Sequence, residues 1–315
     1  MAEHTMNFMF NSYPDLSMFS LKTLLIDQAP VACLSIDGKD YSITALCQRV
    51  NSPALPDSVL DLLTQWETHL PKLKNLAEQA TAHTDLILSE ANATLPPVLY
   101  PGKILCAGAN YYDHLQEMGV PAEKKDQRLF FFFKPARQAA IGDGQYAAIP
   151  KNCQKYDWEI ELAMVIGKTA KDLTLENAME HVAGYTIAID LSARDFARAP
   201  EQFYKFDWVA AKANDASCPI GPALIPACFV SDPQDLDLKL ELNGQIKQEA
   251  NTSGMIFDLR EQLVRLTEIM TLEPGDIVLT GTPAGVGAAR GEFLAPGDRL
   301  HAHISGLGTL NTTIA

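Results

Sequence analysis

Apolar and polar residues alternate through residues 18–50, which is the period of a β-strand with one buried face. The apolar run Val31–Ile36 is followed by Asp37-Gly38 and then by a second β-prone run. An Asp-Gly pair between two such runs favours the tight turn of a hairpin. The pattern therefore predicts two antiparallel strands that meet at Asp37-Gly38.

The hydrophobic period changes between residues 57 and 90. Apolar residues recur at helical spacing from Val59 to Leu76, on both sides of Pro71. The proline-rich segment from Asn92 to Gly102 is typical of a linker. We therefore predict a small α+β domain over residues 1–95 and a larger domain over residues 96–315.

Short β-type runs separated by Gly and Pro dominate the larger part. Asn243-Gly244 predicts a second hairpin, Phe257–Met270 has helical spacing, and Pro-Gly-Asp turns precede strands at Ile277–Thr280 and Arg299–Ile304. Strands and helices do not alternate regularly, and no G-x-G-x-x-G motif follows a strand, so a doubly wound nucleotide fold is not expected. The predicted fold class is α+β with β-structure dominant.

Two glutamates lie in the β-prone run from Tyr156 to Gly167. Side chains alternate across a strand, so Glu159 and Glu161 leave one face while Ile160 and its apolar neighbours leave the other. Two like charges on a half-buried face are costly unless a cation lies between them or they share a proton. A divalent metal with oxygen ligands resolves this cost, and an exposed acidic sheet edge is the alternative.

A third carboxylate follows a different apolar strand. Asp190 is the first acid after the run Gly184–Ile189, where a side chain can face a pocket at the sheet edge. A turn or helix-capping role is the alternative for this residue. Three carboxylates with open positions for water or substrate suit Mg²⁺ or Mn²⁺ better than zinc.

A histidine and a glutamate share one face of a short predicted helix. If Asn110 or Asp113 begins this helix, His114 and Glu117 lie at positions i and i+3 and can form a hydrogen bond. A carboxylate on one imidazole nitrogen leaves the other nitrogen to act as a base. The alternative is a surface helix with an incidental polar pair.

Two lysines and one loop add further candidates. Lys134 and Lys212 could bind a substrate carboxylate or pair with the acids, although Lys134 could equally be a structural lysine at a strand end. In the loop at residues 280–287, backbone N–H groups, including that of Gly281, and the Thr282 hydroxyl could hold a substrate oxygen. This loop lacks the lysine and the spacing of a phosphate-binding loop, so nucleotide binding is not expected.

Composition limits the class of protein. The net charge of −14 and an isoelectric point near 4.9 disfavour nucleic acid and anionic membrane surfaces as partners. The six cysteines form no C-x-x-C pair, which predicts reduced thiols. No signal peptide and no apolar run near about 20 residues are visible, so a cytoplasmic protein without a membrane span is predicted.

Taken together, these segments resemble the fumarylacetoacetate hydrolase (FAH) superfamily, and in particular its acylpyruvase and 2-hydroxyhepta-2,4-diene-1,7-dioate isomerase branch. The resemblance runs from Lys103 to the C-terminus, and each motif is weak alone while their order and spacing are specific. The motifs are N-Y-Y-D-H-L-Q-E-M-G (110–119), F-K-P (133–135), D-W-E-I-E-L-A (157–163), G-Y-T-I-A-I-D-L-S-A-R-D (184–195), C-P-I-G-P (218–222), P-G-D-I-V-L-T-G-T-P-A-G-V (274–286) and G-L-G (306–308).

The resemblance implies a fold and a set of roles. It implies a twisted β-sheet roll, usually a homodimer, around Mg²⁺ or Mn²⁺ held by Glu159, Glu161 and Asp190. It also implies that His114 and Glu117 form the catalytic dyad of a lid, that Lys212 is the active-site lysine, and that Thr282 belongs to the substrate loop. The metal would chelate a 2-oxo acid and stabilise the enolate formed in the reaction.

The chain departs from the family pattern near the substrate. Phe196, Ala197 and Arg198 follow the R-D motif where many relatives carry a glutamine, and residues 203–208 are rich in aromatic rings. Arg137 or Arg198 could recognise a second substrate carboxylate, because guanidinium pairs with it through two hydrogen bonds. A surface ion pair is the alternative for either arginine.

These observations predict a metal-dependent hydrolase that cleaves a C–C bond of a 2,4-dioxo acid. Decarboxylation of oxaloacetate and tautomerisation of a 2-hydroxydienoate on the same site are the first alternatives, and neither needs a water nucleophile. A non-catalytic binding relative is the last alternative, and it predicts little binding of divalent metal.

Overall fold

The computed structural model describes residues 18–121 and 123–315. Its strands are β1 Ser20–Ile26, β2 Ala29–Ile36, β3 Lys39–Ser42, β4 Ala93–Leu95, β5 Ile104–Ala107, β6 Phe131–Lys134, β7 Ala140–Ile141, β8 Tyr146–Ala147, β9 Tyr156–Asp157, β10 Ile160–Ile166, β11 Val182–Ile189, β12 Ser192–Ala193, β13 Cys218–Pro226, β14 Asp237–Leu242, β15 Gln245–Asn251, β16 Ile277–Leu279, β17 Arg299–Ile304 and β18 Gly308–Ile314. Its α-helices are α1 Ile43–Arg49, α2 Val59–Leu63, α3 Trp66–Ala80, α4 Tyr112–Glu117, α5 Arg194–Ala197, α6 Trp208–Lys212, α7 Leu259–Ile269 and α8 Gly287–Arg290.

Strands outnumber helices among the described residues, which confirms the predicted α+β, β-dominated fold class. The main sheet has the order β3-β2-β1-β13-β11-β10-β16-β5-β6, with β4 paired to β1 and β7 paired to β13. A five-stranded sheet has the order β15-β14-β17-β18-β8, and β12 pairs with β9. None of the helices in residues 18–121 and 123–315 combines the length and apolar character that a membrane crossing requires.

Strand β10 is covered on both faces, which explains its nearly continuous apolar sequence. Ile160, Leu162 and Met164 pack into one core with residues of the five-stranded sheet. Ala163 and Val165 point the other way, into a second core with residues of α1 to α3. Glu161 has the same parity as Ala163, so its carboxylate leaves the sheet on that second face.

Local sequence signals are confirmed at both hairpins. Asp37-Gly38 joins β2 to β3, and Asn243-Gly244 joins β14 to β15. All four turn residues have positive φ, which is the backbone that these turns require. The predicted helices are present as α2, α3 and α7.

Two sequence predictions need correction. The run from Tyr156 to Gly167 is two strands, because Trp158 and Glu159 leave the ladder between β9 and β10; the buried Trp158 indole donates a hydrogen bond to the Gly285 carbonyl. The segment from Asn92 to Gly102 is linker only in part, since β4 pairs with β1. Strand β1 also pairs with β13, which adds the N-terminal strands to the main sheet. The domain boundary near residue 95 stays a prediction.

All six cysteines are free thiols, as the sequence predicts. Five are buried and Cys228 is exposed. Burial raises the pKa of Cys33 and of Cys218 to about 12, so both remain protonated at neutral pH.

Candidate metal and active site

The acidic residues converge because neighbouring strands end and begin at one edge of the main sheet. Strand β10 begins at Ile160, which pairs with Ile189 at the end of antiparallel β11. The residues just outside this pair, Glu159 and Asp190, therefore lie side by side, and the Asp190 N–H donates to the Glu159 carbonyl at 2.8 Å. Sheet register, rather than proximity in sequence, brings these two acids together.

Glu161 is held from the other side of β10 by the chain that follows β16. Ala163 pairs with Leu279, so residues 280–282 run beside the start of β10. The Gly281 N–H donates to Oε2 of Glu161 at 2.6 Å. Gly281 has φ +100°, and a Cβ there would lie 2.7 Å from Cβ of Asn110, so both the backbone conformation and the space require glycine.

Glu159, Glu161 and Asp190 form a buried carboxylate triad. One oxygen from each lies within 4.8 Å of the others, and all three residues are buried. The alternative of an exposed acidic sheet edge is therefore wrong, as is a simple turn or capping role for Asp190. The bound ion itself stays a prediction.

Three cations surround the triad in the described residues. Nζ of Lys212 lies 2.6 Å from Oε2 of Glu159 and 2.6 Å from Oδ2 of Asp190. Nζ of Lys134 lies 2.6 Å from Oδ1 of Asp190. Arg194 donates to Glu159 and, through Nε at 2.8 Å, to Asp157. The three triad carboxylates and Asp157 thus face three cations, which leaves one negative charge without a partner.

The pKa shifts identify Glu161 as the carboxylate without a compensating cation. Burial raises the pKa of Glu159, but the charges of Lys212 and Arg194 outweigh burial and hold that pKa well below its usual range. Burial raises the pKa of Glu161 as well, and the neighbouring charges of Asp190 and Glu159 raise it further. Glu161 therefore has the environment of an acid that either carries a proton or binds a cation.

The donor set fits a hard divalent ion. The triad offers only carboxylate oxygens, it is buried, and among the described residues Glu161 makes no ion pair with Lys, Arg or His. Mg²⁺ and Mn²⁺ prefer such oxygen ligands with several positions left for water or substrate. Glu159, Glu161 and Asp190 are therefore the residues that could hold the ion.

A histidine–glutamate pair faces the same region from helix α4. Strand β5 runs parallel to β16, so both end at the edge where the triad lies, and β5 leads into α4. Nδ1 of His114 lies 3.2 Å from Oε2 of Glu117. Oε1 of Glu117 accepts the Gly285 N–H at 2.9 Å. The alternative of an incidental surface pair is wrong, because His114 is buried and lines a cavity with Glu159 and Glu161.

A cavity of about 450 Å³ is lined by Glu159 and Glu161 of the triad and by His114 of the dyad. Its walls combine polar residues with small alanines and aromatic rings. The lining includes His114, Glu159, Glu161, Arg194, Arg198, Lys212, Thr282, Phe130, Phe132, Phe206 and Trp208. A substrate that enters this cavity meets acids, a base and a flat apolar wall together.

Of the residues that the sequence proposed for substrate binding, some line the cavity and others do not. Thr282 and Arg198 line the cavity, whereas Gly281 uses its N–H on Glu161. The three ammonium hydrogens of Lys134 go to Asp190 and to two carbonyls, so this lysine has none left for a substrate. Arg137 lies outside the cavity lining with its guanidinium 4.2 Å from the Tyr100 ring, so the structure does not support a substrate role there.

Three positioning residues are missing from the sequence prediction. Arg194 forms an ion pair with Glu159. In the sequence it was named only as the arginine of the R-D motif. Asn110 bonds the Thr280 and Phe257 carbonyls, and Gln248 bonds Ile160, Thr282 and Pro283. Both amides are fully or almost fully buried. A buried Asn or Gln is recognisable only once its partners from distant strands are known.

Comparison with known proteins agrees with this architecture. Residues 103–315 match the family described as Fumarylacetoacetate (FAA) hydrolase C-terminal. The chain is 38% identical over 263 residues to the Bos taurus protein named oxaloacetate tautomerase FAHD2A, mitochondrial, which covers 82% of this chain and 80% of that protein. The chain therefore belongs to the fumarylacetoacetate hydrolase family, and the resemblance predicted from its motifs is confirmed.

Solved structures show the same fold. A fumarylacetoacetate hydrolase from Exiguobacterium antarcticum has a TM-score of 0.75 and 28% identity, over 94% of this chain and 99% of that one. The fumarylpyruvate hydrolase from Pseudomonas aeruginosa, solved with Mn²⁺ and pyruvate, has a TM-score of 0.62 and 33% identity, over 72% of this chain and 94% of that one. Members of the family are enzymes, and those similar to this chain include proteins named as a tautomerase and as hydrolases.

Proposed function

We propose that this protein is a divalent-metal-dependent oxaloacetate tautomerase that interconverts the enol and keto forms of the acid. The observation that carries the proposal is the cavity that His114 lines together with Glu159 and Glu161 of the carboxylate triad. The similarity to the bovine oxaloacetate tautomerase over 82% of this chain supports the choice of substrate.

The reaction moves one proton between C3 and the 2-oxo oxygen. A Mg²⁺ or Mn²⁺ ion held by Glu159, Glu161 and Asp190 would polarise the 2-oxo group and acidify C3–H. Glu117 occupies Nδ1 of His114, which leaves Nε2 to exchange the proton within the cavity. Gly285 fixes the Glu117 carboxylate, so the imidazole is held before substrate enters.

The distal carboxylate of oxaloacetate needs a cation in this acidic protein. Lys212 and Arg194 are occupied by the buried acids. Arg198 lines the cavity, is exposed, and makes no ion pair among the described residues. A guanidinium at this position is suited to bind the distal carboxylate and to hold C3 towards His114.

Decay of enol-oxaloacetate, followed by its ultraviolet absorbance, tests the proposal. The metal-free protein should convert the enol little faster than buffer alone does, and added Mn²⁺ should restore a fast conversion to the ketone. His114→Asn should lower kcat by about 100-fold or more, since general acid–base groups contribute about 10² to 10⁴. His301→Asn, at an exposed position of β17, is the matched control. Equal rates with and without Mn²⁺ would reject the proposal.

Hydrolysis of an acylpyruvate remains the second candidate, because the cavity of about 450 Å³ and its aromatic wall suit an acid with a longer side chain than that of oxaloacetate. On this alternative, Nε2 of His114 deprotonates water instead of carbon. The two reactions differ in products, since hydrolysis releases pyruvate from a 2,4-dioxo acid and tautomerisation releases none. Assaying pyruvate with acylpyruvates and with oxaloacetate also detects decarboxylation of the latter.

Two further statements about the protein are proposals. A homodimer is expected from the family resemblance, and the cytoplasmic location predicted in the sequence analysis stays a prediction. The bovine relative bears a mitochondrial name, which describes that protein.

A further inference from the structure

Four aromatic rings form a continuous wall that begins at the carboxylate triad. Nζ of Lys212 lies 5.1 Å from the centroid of the Phe132 ring. Phe132 stacks on Trp208 at 5.0 Å with an interplanar angle of 14°, and Phe206 lies 4.4 Å beyond Trp208. Phe130 contacts Trp208 at 5.4 Å. All four rings line the cavity.

The order of these rings gives the cavity a direction. Lys212 contacts Glu159 and Asp190, so its end of the wall is the acid-rich end. Phe132 is buried beside this end, whereas Trp208 and Phe206 are 39% and 41% exposed. A 2-oxo acid whose carboxylate and oxo groups face the triad therefore extends its C3 substituent along Trp208 towards Phe206.

The four rings themselves offer no charged partner to an anionic substituent. Among the cations that line the cavity in the described residues, Lys212 and Arg194 are committed to buried acids, and Arg198 alone makes no ion pair. Trp208 and Phe206 are 39% and 41% exposed and present apolar, π-electron-rich rings to the cavity. Such rings favour another planar ring in offset or edge-to-face contact.

We propose that the enzyme also tautomerises 2-oxo acids that carry an aryl group on C3, with Trp208 as the specificity-determining residue. This inference rests on the proposed function, because it uses the same triad and the same proton transfer at His114. In the enol-to-keto direction the enol O–H bond breaks and a C3–H bond forms. One proton changes place, no electron is gained or lost, and no co-reactant is required.

Phenylpyruvate is the probe, and its enol is followed by ultraviolet absorbance in the presence of Mn²⁺. We expect its kcat/KM to equal or exceed that of oxaloacetate. Trp208→Leu should lower kcat/KM for phenylpyruvate at least about tenfold more than for oxaloacetate, chiefly through KM, because the lost ring contact affects binding. Val209→Ala, at the next residue of α6, is the control because Val209 is 74% exposed and lies outside the cavity lining.

Tryptophan fluorescence provides a second readout that does not depend on turnover. Trp66 and Trp158 are buried, so Trp208 is the indole that a ligand in the cavity can contact. Phenylpyruvate should quench the emission saturably after correction for ligand absorbance, and Trp208→Phe should abolish this quenching. Phe206→Ala replaces Trp208→Leu if the latter does not fold.

The outcomes separate the inference from the proposed function. Turnover of oxaloacetate without turnover of phenylpyruvate overturns the inference and leaves the proposed function intact. An equal loss for both substrates in Trp208→Leu also overturns it, because the side chain would then act only through the fold of α6. Absence of Mn²⁺-dependent turnover with either acid rejects both.

Discussion

Glu117 links the loop at Gly285 to the imidazole of His114. Its Oε2 lies 3.2 Å from Nδ1 of His114, and its Oε1 accepts the Gly285 N–H at 2.9 Å. A side chain held at both oxygens keeps the ring of His114 in one orientation and sets which ring nitrogen faces the cavity. On the proposed function, Glu117 is therefore a positioning residue, and His114 is the group that would exchange protons with substrate.

Glu117→Gln should lower kcat about 10- to 100-fold with a smaller effect on KM, because partners that orient a catalytic imidazole contribute on this scale. Steady-state kinetics on the enol substrate with saturating Mn²⁺ provide the measurement. The matched control is Glu67→Gln, whose side chain is 79% exposed. Wild-type kcat in Glu117→Gln would show that His114 does not need this partner.

The ionisation of Glu117 also makes a prediction about pH. Burial raises the pKa of Glu117, but the hydrogen bonds from His114 and Gly285 outweigh burial and hold it below the ordinary value of 4.5. A carboxyl group whose pKa is lowered by folding contributes stability that is complete above its unfolded-state pKa and is lost as the pH falls through the folded-state pKa. The difference in unfolding free energy between wild type and Glu117→Gln should therefore stay constant from pH 7 to about 5 and shrink below pH 4.5. Urea titrations across this range measure it, and a difference that grows on acidification would contradict the assignment.

Lys212 stabilises the chain that lacks metal. Its ammonium is the shared partner of Glu159 and Asp190, both of them buried. Lys212→Met should destabilise the metal-free protein by about 3–5 kcal/mol, since it leaves buried carboxylates uncompensated. Mn²⁺ should recover part of this loss by supplying positive charge at the same acids. Thermal unfolding with and without Mn²⁺ measures both effects.

The control for Lys212 is Lys168→Met. Lys168 is exposed and its nitrogen lies 3.5 Å from Glu67, so this change should cost less than about 1 kcal/mol. Equal destabilisation by both variants, or a Lys212→Met protein that Mn²⁺ does not stabilise, would contradict the proposed charge balance.

Gln248 couples the start of β10 to the loop after β16. Its amide oxygen accepts the Ile160 N–H at 3.0 Å, and its amide nitrogen donates to the Thr282 hydroxyl at 2.8 Å and to the Pro283 carbonyl at 2.9 Å. Gln248→Ala should lower the unfolding free energy by about 1–3 kcal/mol, because buried partners lose their hydrogen bonds. It should also weaken Mn²⁺ binding, since Glu161 lies next to Ile160. Calorimetric titration with Mn²⁺ tests this coupling, and the control is Gln245→Ala, at an exposed glutamine of the same strand. An unchanged Mn²⁺ affinity in Gln248→Ala would refute the coupling.

Local chemistry explains which elements the sequence predicts well. The hairpins at Asp37-Gly38 and Asn243-Gly244 depend on turn residues that tolerate positive φ, and α7 begins with a capping box between Asp258 and Glu261. These signals act within a few residues. The pairing of β1 with β13, some 200 residues apart, has no such local signal, so the sequence did not reveal that the N-terminal strands extend the main sheet.

The candidate site also has a part that the sequence predicts and a part that only tertiary packing reveals. Spacing and the family resemblance group Glu159, Glu161 and Asp190, and the structure brings them together. The general argument that like charges need a cation does not say which cation. The structure supplies Lys212, Arg194 and Lys134, and of the roles predicted for Lys134 it favours pairing with Asp190 over substrate binding. Contacts of this kind depend on tertiary packing, which composition and periodicity do not encode.

Calorimetric titration of the metal-free protein with Mn²⁺ tests the central claim most directly. Glu161 is the triad carboxylate without an ion-pair partner among the described residues, so it depends most on an added cation. Wild type should bind one Mn²⁺ per chain, and Glu161→Gln should bind it at least about 100-fold more weakly while unfolding at a similar or higher temperature in the absence of metal. Stoichiometric binding that survives in Glu161→Gln, or none in wild type, would contradict the account.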